Sequence, residues 1–128
     1  MKNEHKNILI IGGGQSAAYA SQEIRKHDSE STVTIVTEEK FLPYERPPLS
    51  KNCLIDKTKY EDCLFFSEKF YDENKIEVKK NIHITNIDCN KKVVTGNSNC
   101  NLSYDKLLIA TGSKNRELEF ENNVLKNE

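Results

Sequence analysis

Short apolar runs alternate with glycine and polar residues along the first part of the chain. Residues 7–11 (NILII) form a continuous apolar run that stops at a glycine, which predicts a strand buried on both faces of a parallel sheet. Alanine and isoleucine then recur at helical spacing between residues 16 and 27. The β-branched run TVTIVT at 32–37 predicts a second strand. Together these segments predict a strand–helix–strand unit.

The middle of the chain continues the alternation of helix and strand. Residues 64–75 fit a helix with Ser67 as its N-cap and with Phe70 and Tyr71 facing the core. The segment IEV at 76–78 follows directly and predicts a third short strand. A helix packed between two strands is again the pattern of an α/β protein.

The last third of the chain predicts a β-hairpin and a final core strand. Alternating segments at 82–88 and 91–96 flank a Cys-Asn pair and predict the hairpin, with a turn after it at 96–99. Residues 104–113 (YDKLLIATGS) predict a fourth core strand that ends at a Thr-Gly pair. No repeat, linker or low-complexity tract divides the chain, so we expect one domain over residues 1–128. The predicted fold class is α/β, a parallel sheet with helices and an inserted hairpin.

Charge and cysteine content exclude several classes of function. The net charge of −1 gives no reason to expect a nucleic acid or an anionic membrane as partner. No apolar run reaches the length of a membrane span, and the run after the N-terminal lysines is too short for a secretory signal. The four cysteines lack C-x-x-C spacing and a nearby histidine, so we expect no metal site. Reduced thiols in a cytoplasmic protein are the preferred interpretation, and two structural disulfides are the alternative.

The first glycine turn carries candidate chemistry. Residues 12–17 (GGGQSA) match G-x-G-x-x-A, between a predicted strand and a predicted helix. Gly12 permits the tight turn, Gly14 lets a pyrophosphate approach the backbone, and Ala17 lets the helix pack close to the sheet. Ser16 lies in the same turn and is a further candidate. The helix N-terminus would attract the phosphates, which predicts a dinucleotide site; the alternative is a purely structural turn.

A dinucleotide site also requires an acid after the second strand, where it accepts hydrogen bonds from ribose hydroxyls. Glu38 and Glu39 follow the TVTIVT run. Their separation from the glycine turn is slightly longer than the usual spacing of about twenty residues between the glycines and the acid. A carboxylate there disfavours a 2′-phosphate, so the pattern favours FAD or NAD. The alternative is that both acids are solvated loop charges.

All three prolines lie in the stretch FLPYERPPLSK at 41–51. Pro47 and Pro48 restrict the backbone there, so the loop would lose little entropy on lying along an extended ligand; a rigid surface turn without a ligand is the alternative.

In the context VTIVTEEKFLPYERPPLSK, the stretch resembles the FAD-binding segment of ferredoxin- and rubredoxin-reductase-like flavoproteins. These proteins belong to the FAD-dependent pyridine nucleotide-disulfide oxidoreductase superfamily. The resemblance extends from ILIIGGGQSA through ERPPLSK to YDKLLIATGS.

The resemblance implies a Rossmann-like FAD/NAD(P)-binding domain and a set of cofactor contacts. It assigns the glycine turn to the FAD pyrophosphate, Glu38 to the adenosine ribose, and Lys51 to the neighbourhood of the flavin. The candidate cofactor-binding residues are Gly12, Gly14, Ser16, Ala17, Glu38, Arg46, Lys51, Ala110, Thr111 and Gly112. No catalytic residue is assigned.

The same resemblance implies an NAD(P)H-dependent reductase that passes electrons through FAD to a ferredoxin- or rubredoxin-type carrier. No cysteine lies between Gly12 and Asn52, which favours transfer to a separate carrier over dithiol chemistry. Only one glycine turn is present, so we expect an incomplete N-terminal portion of the FAD-binding domain without the NAD(P)H domain. The alternative is a non-catalytic module that binds FAD or ADP, or a remnant. Nothing in the sequence indicates the oligomeric state.

Overall fold

The computed structural model describes residues 4–55 and 58–116, together with the backbone of two short strands beyond them. In chain order the elements are β1 (Asn7–Ile11), α1 (Gln15–His27), β2 (Thr32–Val36), α2 (Asn52–Ile55), α3 (Glu68–Glu73), β3 (Ile76–Lys79), β4 (Ile84–Asp88), β5 (Val93–Gly96), β6 (Asn101–Ser103), β7 (Lys106–Ile109), β8 (Glu119–Phe120) and β9 (Asn123–Val124). Two 3₁₀ turns, Pro47–Ser50 and Tyr60–Cys63, lie between β2 and α3.

A four-stranded parallel sheet forms the centre of the molecule, with the order β3-β2-β1-β7. Ile10 in the middle of β1 pairs with Ile35 of β2 on one side and with Leu108 of β7 on the other. The predicted strands at 7–11, 32–37 and 76–78 are confirmed, with shifts of one residue at the ends of the last two. Chain order and spatial order differ because helices and the inserted strands connect neighbouring strands.

Helix α1 packs tightly on the sheet because its inner face carries small residues. Ala17, Ala18 and Ser21 are all fully buried. The Ser21 hydroxyl donates to the Ala18 carbonyl at 2.8 Å, so this buried polar group is satisfied. The predicted helix at 16–27 is therefore confirmed, and it begins one residue earlier.

The two faces of the parallel sheet contact different apolar clusters. Ile10, Val33 and Ile35 pack with α1 and with Tyr71 of α3. Leu9, Ile11 and Val36, on the opposite face, pack against Val94 of β5. Strands β4, β5 and β6 form a separate antiparallel sheet on that second face. Burial on both faces explains why β1 and β2 are continuous apolar runs.

Two predicted elements need correction in their length. The helix predicted over 64–75 covers only Glu68–Glu73, because Leu64 forms a bridge with Tyr44 and the N-cap Ser67 has an extended backbone. Ser67 is its N-cap as predicted, accepting from the Phe70 amide. The final strand covers Lys106–Ile109 instead of 104–113, because the chain leaves the sheet at its Ala-Thr-Gly segment.

The predicted hairpin is one strand larger than expected. Strands β4 and β5 confirm it, and β6 adds a third antiparallel strand through pairs such as Val94 with Leu102. The sequence of β6, Asn-Leu-Ser, is too short and polar to show a strand period. Among the described residues, no helix has the length and apolar character of a membrane span.

Candidate functional site

A cavity of about 860 Å³ opens at the carboxyl ends of β1 and β2. Ligands of open parallel sheets bind at this edge, and the volume falls in the range of small-molecule sites. The lining comes from the glycine turn, the end of β2, the β3–β4 connection and the segment after β7. It also includes residues of the stretch 41–51, called the proline-rich loop below. Predicted site residues in the lining are Gly12, Gly14, Ser16, Glu38, Arg46, Ala110, Thr111 and Gly112.

The glycines of the turn differ in what restricts them. Gly12 has φ +124°, and a Cβ there would collide with the carbonyl oxygen of Ala110. A Cβ on Gly13 would collide with the Thr37 side chain. At Gly14 a Cβ would meet no atom within 4 Å, because it would point into open space. The first two glycines are therefore required by the fold, whereas the third leaves room at the cavity.

The N-terminus of α1 lies at the cavity without a side-chain cap. Gly14 is the N-cap residue, and the first turn contains no acidic residue. The first amides of a helix have no partner within the helix, and they carry partial positive charge. Gln15 and Ser16 line the cavity. Ala17 does not line it and instead lies in the core against the sheet, which is the packing role proposed for it.

Two carboxylates follow β2 at the other side of the cavity, each with its own partner. Glu38 Oε2 lies 2.7 Å from Nδ1 of His83. Glu39 accepts from Arg46 at 2.6 Å and from the Tyr44 hydroxyl at 2.8 Å. Partial burial acts to raise the pKa of Glu39, but the Arg46 and Tyr44 hydrogen bonds and the Arg46 charge outweigh it and leave the pKa below its ordinary value. Glu39 is therefore ionised in neutral solution.

Arg46 and Lys51, the predicted cofactor contacts of the proline-rich loop, occupy different positions. The Arg46 guanidinium lines the cavity, lies 5.2 Å from the Tyr44 ring centroid and pairs with Glu39. The hydrogen bond that Arg46 donates to Glu39 raises the pKa of Arg46 above its ordinary value. Lys51 follows the 3₁₀ turn Pro47–Ser50, is exposed and does not line the cavity.

The segment after β7 closes the cavity beside the glycine turn. The Ala110 amide donates to the Ile11 carbonyl at 2.7 Å, which fixes this segment next to β1. Gly112 has φ +72°, and a Cβ there would meet nothing within 4 Å. Thr111 and Gly112 are exposed residues that line the cavity, and their contact with a cofactor stays a prediction.

Comparison with known proteins decides the family. A family model described as pyridine nucleotide-disulphide oxidoreductase matches residues 6–128. The chain belongs to this family. It is 33% identical over 118 residues to a rubredoxin-NAD(+) reductase from Pseudomonas putida, with 92% of this chain and 31% of the relative covered. The family assignment confirms the resemblance seen in the glycine turn and the proline-rich loop.

Solved structures of this oxidoreductase family confirm the Rossmann-like fold. The crystal structure of the covalent putidaredoxin reductase–putidaredoxin complex matches with a TM-score of 0.86 and 26% identity, over 94% of this chain and 29% of that chain. An NADH:rubredoxin oxidoreductase from Clostridium acetobutylicum gives a TM-score of 0.80 and 30% identity, over 92% and 30%. This chain spans about 30% of the length of such relatives.

Sequence reasoning missed several residues at the cavity. His83, Tyr44 and Phe65 all line it. Tyr44 lies two positions before Arg46 in the proline-rich loop, so its position could have been proposed from the sequence. His83 belongs to the β3–β4 connection, and no local signal links it to Glu38, which is 45 positions away.

Proposed function

We propose that this chain is the FAD-binding part of an NAD(P)H-dependent flavoprotein reductase that passes electrons to a ferredoxin- or rubredoxin-type carrier. The observation that carries the proposal is one cavity with an uncapped helix N-terminus at one side and two carboxylates at the other. FAD, when bound, supplies the chemistry that accepts a hydride and releases electrons one at a time. The residues of this chain bind and orient it.

The glycine turn fits a pyrophosphate. The open space at Gly14 lets phosphate oxygens approach the backbone, and the first amides of α1 can donate to them. No carboxylate lies in the first turn of the helix to repel the anion. Ser16 can add a hydroxyl donor at the same place.

The carboxylates after β2 fit the ribose of the adenosine. Glu38 is the proposed acceptor, because Glu39 is already held by Arg46 and Tyr44. The Glu38 side chain is 68% exposed, so its second oxygen is free to accept a ribose hydroxyl while His83 holds the first. A negative charge here disfavours a 2′-phosphate, which agrees with FAD.

The proline-rich loop would lie along the cofactor. Arg46 can offer the donors not used by Glu39 and Tyr44 to a phosphate or a ring. Lys51 is proposed to lie near the flavin, which requires FAD to extend beyond the cavity along the loop. Ala110, Thr111 and Gly112 would close on the cofactor from the opposite side.

The relatives support the choice of electron acceptor. Their names specify rubredoxin, ferredoxin or putidaredoxin as the protein that is reduced or bound. A carrier of this type is therefore proposed as the partner, and NADH or NADPH as the electron donor. The four free cysteines agree with a cytoplasmic location, where thiols stay reduced.

Calorimetric titration of the 128-residue chain with FAD, ADP and NAD tests the binding step. We expect saturable heat with FAD and with ADP, because both carry the adenosine diphosphate half. Heat with none of the three ligands would overturn the proposal. The same titration with Thr85→Val, at an exposed position of β4, is the control and should match the wild type.

Reduction of bound FAD by NADH or NADPH in the complete polypeptide tests the redox step. We expect bleaching of flavin absorbance, followed by reoxidation when a ferredoxin or rubredoxin is added. Tight FAD binding without reduction by either nucleotide would contradict the proposed reductase activity. The alternative of a non-catalytic module that only binds FAD or ADP would then be favoured.

A further inference from the structure

Two cysteine thiols lie next to each other at the base of the proline-rich loop. Cys53 belongs to α2, and Cys63 is the last residue of the 3₁₀ turn Tyr60–Cys63. Their sulfur atoms are 3.4 Å apart, and both thiols are free. Neither residue lines the cavity or belongs to the proposed FAD contacts. The proposed function therefore does not account for this pair.

The two thiols differ in access to solvent. Cys63 is 5% exposed, whereas Cys53 is partly exposed on a helix whose next two residues, Leu54 and Ile55, are 75% and 79% exposed. The hydrogen bond with Cys53, together with burial, raises the pKa of the Cys63 thiol. A small oxidant would thus meet the partly exposed Cys53 before the buried Cys63.

We propose that Cys53 and Cys63 form a reversible disulfide when the protein meets a hydroperoxide. The Cys53 thiolate attacks the O–O bond of the peroxide, giving a sulfenic acid on Cys53 and releasing hydroxide or alkoxide. The Cys63 sulfur then attacks the Cys53 sulfur, the S–O bond breaks, and water leaves. The peroxide is reduced by two electrons, and the two thiols together are oxidised by two electrons.

The local geometry allows this bond to form. The sulfur–sulfur distance has to fall from 3.4 Å to the about 2.05 Å of a disulfide. Helix α2 is one turn long and exposes its apolar side chains, so it can move toward Cys63 more easily than the core can. Cys63 is fixed, because its carbonyl accepts from the Glu45 amide at 2.7 Å.

The disulfide would hold the second half of the proline-rich loop at both ends. The loop is joined to Cys63 on one side by the Glu45 amide, next to Arg46. On the other side Cys53 follows Lys51 by two positions. Bond formation would therefore restrict the segment from Arg46 to Cys53, and reduction would release it. The expected consequence is slower cleavage by trypsin after Lys51 in the oxidised protein.

Mass spectrometry of the complete polypeptide tests the proposal. The protein with Cys89→Ser and Cys100→Ser keeps only the proposed pair among the cysteines of this sequence. It is treated with hydrogen peroxide, denatured and alkylated with N-ethylmaleimide. We expect loss of two hydrogen atoms, loss of alkylation at both thiols, a peptide that joins Cys53 to Cys63, and full recovery with dithiothreitol.

Unchanged alkylation of both thiols, or sulfinic acid on Cys53 with Cys63 still alkylated, would overturn the proposal. In the unmutated protein, a crosslink to Cys89 or Cys100 instead of the 53–63 bond would also overturn it. Cys53→Ser is the control for the trypsin measurement. Its cleavage after Lys51 should be the same with and without peroxide, and a slowing that persists would show that the effect does not come from this disulfide.

Discussion

At the scale of single residues, one glycine of the turn is needed for folding and another leaves room for a ligand. Gly12 is required by its positive φ and by the nearby Ala110 carbonyl, so any side chain there strains the backbone. Gly14 has φ −98° and ψ −167°, which any residue can adopt as an N-cap. Substitutions at Gly14 should therefore affect the cavity without harming the fold.

Gly14→Asp should lower affinity for FAD and raise stability at the same time. Aspartate is a favoured N-cap residue, so we expect the free energy of unfolding to rise by a few tenths of a kcal/mol. Its carboxylate would occupy the phosphate position and repel the anion, reducing affinity by roughly a hundredfold or more. Titration calorimetry and chemical denaturation measure the two effects.

Gly14→Asn is the matched control, because it caps the helix with nearly the same shape and no charge. It should lower FAD affinity clearly less than Gly14→Asp does. Equal losses for both variants would show that size, and not negative charge, excludes the ligand.

The choice between the two acids after β2 can be tested directly. Glu38→Gln should lower ADP affinity about tenfold, because a ribose hydroxyl would lose a charged acceptor. Glu39→Gln removes an ion pair that is partly exposed, so it should cost below about 1 kcal/mol of stability and leave ADP affinity less affected. Titration of both variants with ADP gives the comparison, and a larger loss for Glu39→Gln would reverse the assignment.

Tyr71 is a buried residue whose hydroxyl costs stability. It is 2% exposed, and its hydroxyl has no hydrogen-bond partner among the described residues. Tyr71→Phe should therefore raise the free energy of unfolding by about 1 kcal/mol. Tyr60→Phe is the control and should lower it, because the Tyr60 hydroxyl accepts from the Leu42 amide at 2.7 Å. Chemical denaturation at neutral pH measures both.

The pH dependence of Tyr71 has a defined sign. Burial, with a smaller contribution from Tyr60, raises the pKa of Tyr71 above its ordinary value of 10.0. The unfolded chain then releases this proton at lower pH than the folded protein does, so stability falls as pH rises above about 10. Tyr71→Phe should show a shallower decline in that alkaline range.

At the scale of elements, one arginine joins two loops. Arg25, in the last turn of α1, donates to the carbonyls of Asp28 and Ser31 in the loop before β2. It also donates to Asn74 and Lys75, between α3 and β3. A planar guanidinium can satisfy these separate acceptors at once, whereas an ammonium group cannot reproduce the arrangement.

Arg25→Lys should accordingly destabilise the protein although charge is conserved. We expect a loss of about 2 kcal/mol in the free energy of unfolding, since at least one partly buried carbonyl loses its donor. Lys26→Ala is the control from the same turn. Its ion pair with Glu23 is exposed, so its removal should cost less than about 0.5 kcal/mol. Similar losses for both variants in chemical denaturation would contradict the role given to Arg25.

At the scale of the whole molecule, the cavity depends on several distant segments being in place. Its lining joins the glycine turn, the β3–β4 connection and the segment after β7, which meet only when the parallel sheet is formed. A ligand that binds here binds the folded state alone, and it therefore stabilises the fold by mass action.

FAD should raise the melting temperature of the 128-residue chain in proportion to the logarithm of its concentration. At a free concentration one hundred times Kd we expect about 2.7 kcal/mol of stabilisation, or roughly 10 °C. Differential scanning calorimetry over a series of FAD concentrations measures the slope. Gly14→Asp should show almost no shift, and an equal shift in that variant would place the ligand elsewhere.

The sequence by itself determined the parallel strands, helix α1, the glycine turn and the family resemblance. These features are local, because each can be recognised within about thirty residues of sequence. They are a run of apolar residues buried on both faces, a helical period and a strand–glycine–helix junction. The same reasoning misjudged the length of α3 and β7 and missed β6. Their limits are set by partners elsewhere, such as the bridge between Leu64 and Tyr44.

Only the tertiary structure decided how the site is assembled. It brought His83 to Glu38, paired Arg46 with Glu39, and placed Lys51 outside the cavity. It also brought Cys53 beside Cys63, a pair without recognisable spacing. The physical reason is that such contacts form when separate elements pack together. The hydrophobic pattern of the sequence indicates which residues of an element are buried, but not which other element packs against them.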